Sequence, residues 1–84
     1  MYYTYVLISK KNGQLYIGLS KNVNRRLAEH NKGYVKPTKG FRPYELIATR
    51  KFENRVDARR FEKKLKQGYL REYLKKMTRG GAVW

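Results

Sequence analysis

Cysteine is absent from the 84 residues, which removes disulfides and thiolate metal sites. Acid is scarce: 6 Asp+Glu stand against 21 Lys+Arg, for a formal net charge of +15. There is no apolar run of the kind that makes a signal segment or a membrane span, so the expected location is the cytoplasm. No repeat or low-complexity stretch occurs either. The shortness of the chain leaves no room for a second core, and the reading is a single domain over residues 1–78 with a short tail at 79–84. What remains is a basic, aromatic-rich chain able to fold alone. Its charge attracts polyanions through counterion release, which makes nucleic acid the default partner. A membrane-surface role ranks behind, because the basic residues are spread over all predicted elements and form no single amphipathic basic helix.

Tyr2–Ser9 is a run of β-branched and aromatic residues, apolar on both alternating faces, as in a central strand covered on both sides. Asn12-Gly13 signals a hairpin, with a return strand over residues 15–19. A two-residue loop there pairs Ser9 with Tyr16 and Leu7 with Gly18. Tyr5 and Tyr16 then share a face, about four residues or roughly 13 Å apart along the strands. Gly18 leaves a gap between them in which a phosphate fits. Asn22 caps a helix that carries Val23, Leu27 and His30 inward, with Arg26 and His30 at i and i+4 on the rim, and that stops at Gly33. Residues 32–43, with Lys32, Lys36, Lys39 and Arg42 between Gly33, Pro37, Gly40 and Pro43, read as a basic loop that contacts nucleic acid. Tyr44–Phe52 reads as a third strand. Asn54, with Asp57 three residues on, caps a helix whose inward side holds Ala58, Phe61 and Leu65 together with the carboxylate of Glu62. A charge so placed needs a partner. Gly68 ends that helix, and Leu70, Tyr73, Leu74 and Met77 form the stripe of a last short one before Arg79-Gly80-Gly81.

Tyr3-Thr4-Tyr5, Tyr16-Ile17-Gly18, the stretch Arg25-Arg26-Leu27-Ala28-Glu29-His30-Asn31 and Arg60-Phe61-Glu62 occur in that order, and together they resemble the GIY-YIG nuclease family. The likeness is to small stand-alone members and to the N-terminal domain of the excision-repair incision nuclease. Tyr3 stands at the motif glycine, Thr4 at its isoleucine, and Leu19 where excision-repair members have a lysine. The resemblance implies an α+β fold, a three-stranded antiparallel sheet flanked by helices. It also implies hydrolysis of phosphodiesters in DNA, or less favourably RNA, with one Mg²⁺ or Mn²⁺ ion. Carried over, Tyr5 and Tyr16 are the motif tyrosines, Arg26 the catalytic arginine, His30 the assisting position, and Glu62 the metal ligand.

Elementary chemistry suits these roles. Arg26 offers a planar fork to two phosphate oxygens. Glu62 offers a hard oxygen ligand, and one or two carboxylates suffice for magnesium. Tyrosine as base is harder, since its ordinary pKa near 10 must be lowered. Each residue also has a plainer role: tyrosines as sheet packing, Arg26 as a solvated charge, His30 as a satisfied rim histidine, Glu62 paired with Arg59 or Lys66 on its own helix. The expectation is a monomeric, metal-dependent endonuclease, selective for structure or only weakly selective. The rival is a module on the same scaffold that binds nucleic acid without cutting, and a basic protein-interaction adaptor ranks third.

Overall fold

In the computed structural model, which describes residues 1–78, a three-stranded antiparallel sheet in the order β2-β1-β3 is covered by helices on both faces. The strands are β1 (Tyr2–Ser9), β2 (Leu15–Ser20) and β3 (Tyr44–Phe52). Helices α1 (Val23–Asn31) and α2 (Lys36–Lys39) lie between β2 and β3. Helix α3 (Arg55–Lys64) follows β3 and continues through a π-helical stretch, Leu65–Tyr69, into α4 (Leu70–Thr78). The side chain of Met77 and the Arg79-Gly80-Gly81 tail lie outside the described residues.

The apolar alternation of β1 becomes two cores. Tyr5 and Leu7 pack with Tyr44, Leu46, Tyr16, Val23 and Leu27 on the α1 side. Val6 packs with Ala48, Phe61, Leu65 and Leu74 on the α3 side, where Thr4 also donates to the Ala58 carbonyl at 2.8 Å. β1 is therefore the central strand that its composition predicts. Both helix caps form as expected: Asn22 accepts from the Arg25 amide and Asn54 from the Asp57 amide. Gly68, at φ +112, breaks the helix, and the chain then continues directly as α4.

The hairpin register differs from the expected one by two residues. Leu7 faces Tyr16 and Tyr5 faces Gly18, because the turn is four residues long. Ser9 organises it: its hydroxyl accepts from the amides of Lys11 and Asn12, its carbonyl accepts from Gly13, and its amide donates to Gln14. A shift by two preserves the face and moves Tyr16 toward Tyr5. A second correction concerns residues 32–43, which are not wholly loop. Thr38 and Val35 are buried, and α2 is folded around Pro37.

Candidate active site

β1, β2 and α1 bring four of the expected site residues together. The Tyr5 and Tyr16 ring centroids are 6.4 Å apart, with His30 4.8 Å from Tyr16 and 5.9 Å from Tyr5 in edge-on contacts. The 13 Å separation implied by the two-residue turn is thereby replaced by packing contact. Gly18 also has a different task from the one expected. A Cβ on it would collide with Cζ and Oη of Tyr5, so the glycine seats the tyrosine ring and leaves no phosphate gap.

His30 is completely buried and lies inside the cluster, on the inward stripe with Val23 and Leu27 and deeper than the rim it was expected to share with Arg26. Its Nε2 is 3.0 Å from the Tyr5 hydroxyl and its Nδ1 is 2.7 Å from Thr38 Oγ1. Burial, and then the charge of Arg26, hold its pKa below the ordinary histidine value. Tyr5 is 1 % exposed, and burial pushes its hydroxyl up to about 12 although the neighbouring Arg26 guanidinium pulls the other way. Arg26 is held in place by Glu29, whose Oε1 accepts from Nη1 at 3.0 Å.

Glu62 approaches from α3, close enough for its charge to act on the Tyr5 hydroxyl. Oε2 accepts from Lys66 at 3.2 Å, while Oε1 is buried with no hydrogen-bond partner and Arg59 Nε stands 3.8 Å away. The plainer pairing with Arg59 and Lys66 is thus present and incomplete. An unbonded, buried carboxylate oxygen fits the expected role of metal ligand. Among the described residues no three His, Cys, Asp or Glu side chains gather around a common point, so an ion there would rely on Glu62, water and phosphate.

Of the expected nucleic-acid contacts, Lys32, Lys36 and Lys39 are exposed. Arg42 folds its guanidinium over Gly33, where a Cβ would strike Nη1. Sequence reasoning missed Thr38, Glu29 and Tyr44. The last closes the aromatic box, 6.1 Å from His30, and is fixed by Asn31, which bonds both its amide and its carbonyl. The only sequence signal for Thr38 is its place four residues before Arg42 in a segment dense with turn formers. A further basic surface also went unanticipated, a shallow cleft on the outer face of α3 lined by Arg55, Val56, Arg59, Arg60 and Lys63.

Comparison with known proteins identifies the family. The chain matches the GIY-YIG catalytic domain over residues 1–77. A UPF0213 protein of Enterococcus faecalis is 40% identical over 81 residues, covering 88% of this chain and 90% of that one. One from Staphylococcus saprophyticus is 33% identical over 78 residues, covering 90% and 95%. The solution NMR structure of a UPF0213 protein from Bacillus halodurans superposes with a TM-score of 0.56 at 32% identity, over 98% of this chain and 88% of its own. The chain belongs to the GIY-YIG domain family, which supports nuclease-type chemistry in general.

Proposed function

We propose that this GIY-YIG domain is a metal-dependent endonuclease that hydrolyses phosphodiester bonds in DNA, selecting structure more than sequence. The observation that carries the reading is Glu62 Oε1, a buried carboxylate oxygen of α3 with no hydrogen-bond partner, whose charge reaches the Tyr5 hydroxyl. Arg59 pairs with that oxygen at 3.8 Å without bonding it, which leaves its lone pairs open to an ion.

Glu62 would hold one Mg²⁺ or Mn²⁺ ion, which supplies charge relief to the phosphoryl oxygens and acidity to a bound water. The chain's own residues do the rest. Arg26, braced by Glu29, presents its remaining N–H groups to the phosphate. Tyr5 serves as base only in concert with His30. A phenol at about 12 is not deprotonated at neutral pH, but it can take a proton from water while passing its own to the imidazole 3.0 Å away. Tyr16 closes one side of His30 and shapes the site. Lys32, Lys36, Lys39 and Arg42 follow the flanking backbone, and a surface this small reads little sequence. The protein works as a cytoplasmic monomer.

The ion pairs of Glu62 with Lys66 and Arg59 favour one alternative, a scaffold that binds nucleic acid and does not cut. Incubation with labelled branched, nicked and single-stranded DNA and RNA separates the two, in magnesium, in manganese and in chelator. Cleavage that chelator abolishes is expected. Binding without cleavage under every condition would establish the alternative.

A further inference from the structure

The imidazole of His30 is enclosed by all three strands, its own helix and α2: Tyr5 of β1, Tyr16 of β2, Tyr44 of β3, Arg26 and Glu29 of α1, and Thr38 of α2. Of these groups, Tyr5 bonds Nε2 and Thr38 bonds Nδ1. Counting protons settles which nitrogen carries the hydrogen. Thr38 Oγ1 also lies 3.2 Å from the Val35 carbonyl, which can only accept, so the threonine proton goes there and its oxygen accepts from Nδ1–H. With Nδ1 carrying the hydrogen, Nε2 can only accept, so the Tyr5 hydroxyl 3.0 Å away donates to it. In this arrangement every buried proton has an acceptor. The opposite tautomer makes the Tyr5 oxygen an acceptor from Nε2–H and leaves the phenol's own hydrogen with no acceptor.

We propose that Thr38 is a positioning residue that holds His30 as the Nδ1–H tautomer and so keeps Nε2 bare to receive the Tyr5 proton. This rests on the proposed endonuclease reading. As the attacking water loses a proton to Tyr5, one O–H bond forms on the phenol and the old one breaks toward Nε2. The water oxygen closes on phosphorus, and the bond to the leaving oxygen breaks with its electron pair. The imidazolium then returns its proton through Tyr5 to solvent or to the leaving oxygen. Since burial keeps His30 below the usual histidine range, the neutral ring that this relay requires is the form present at neutral pH. The same four-residue α2 exposes Lys36 and Lys39 to solvent, so one element both offers charge to the backbone and sets the base.

The test uses the full chain, with ¹⁵N-labelled histidine and single-turnover cleavage side by side. The parent protein should show Nδ1 protonated and Nε2 bare. Thr38→Val keeps the shape and removes the acceptor, and it should shift His30 toward Nε2–H. Cleavage should then fall about tenfold or more at unchanged DNA affinity. The acid limb of its rate profile should move to lower pH, because the imidazolium loses an acceptor. Thr38→Ser should restore both tautomer and rate. An Nε2–H tautomer in the parent overturns the proposal, as does a Thr38→Val protein with a shifted tautomer and normal cleavage. If Thr38→Val does not fold, the parent spectrum and the serine variant still decide. A parent that never cuts would defeat the nuclease reading and leave the tautomer measurement standing.

Discussion

The carboxylate of Glu62 sits in a balance that packing alone does not explain. Its partners Arg59 and Lys66 are each 55% exposed, so losing the carboxylate charge leaves neither cation buried and unpaired. Glu62→Gln is therefore expected to fold with a melting temperature at or above that of the parent. If the unbonded Oε1 serves the reacting phosphate, the same change abolishes cleavage, a loss on the order of 2.7–4 kcal/mol in transition-state stabilisation. Arg26→Ala should lose a similar amount while retaining most of the binding. Parent-rate cutting by either variant would remove these residues from the site, and unfolding would assign them to the scaffold. The tyrosines separate by the same logic, since Phe keeps the ring and deletes one oxygen. Tyr5→Phe breaks the hydrogen bond to His30 and should slow single-turnover cleavage by about 10² or more, whereas Tyr16→Phe should slow it less. The reverse order would move the base to Tyr16.

Between β1 and β2 the decisive feature is an absence of side chain at Gly18. With Tyr5 Cζ and Oη lying where a Cβ would stand, Gly18→Ala must push the ring away from His30 or spread the strands. Overpacking of this kind costs about 1–3 kcal/mol, and cleavage should fall with it. A stable, active Gly18→Ala protein, assayed by thermal melting and single-turnover rate, would show that the ring is not held there. Much at this scale is legible in the sequence. Strand composition and two asparagine caps place β1, α1 and α3, while the choice of Arg26, His30 and Glu62 comes mainly from the resemblance. The hairpin register was not legible, because Asn-Gly advertises a two-residue turn while the Ser9 hydroxyl, by accepting from the amides of Lys11 and Asn12, stabilises a longer one. Thr38 was hidden for a related reason. Its role depends on a ring eight residues earlier and on no periodicity within its own segment.

Over the whole molecule, a net charge of +15 gives nucleic acid more than one surface to choose from. Lys32, Lys36 and Lys39 lie on the α1 and α2 side of the sheet, with the Tyr5 cluster, while Arg55, Arg60 and Lys63 line the outer face of α3. Total charge strengthens binding at either surface. Only cations that contact phosphate release counterions and steepen the salt dependence. With about five phosphates neutralised on duplex DNA, log K should fall against log salt with a slope near −4 to −5. Replacing Lys32, Lys36 and Lys39 together by Gln should flatten that slope by about 2 to 3, as expected for three lost contacts at about 0.9 each. The matching replacement of Arg55, Arg60 and Lys63 removes equal charge, yet it should change the slope by less than about 1. That inequality, measured by fluorescence anisotropy over a salt series, locates the strand relative to the site. If the α3 set flattens the slope more, the nucleic acid runs along α3 and enters past Arg59 and Lys66. A parent slope near zero would remove nucleic acid as the partner altogether.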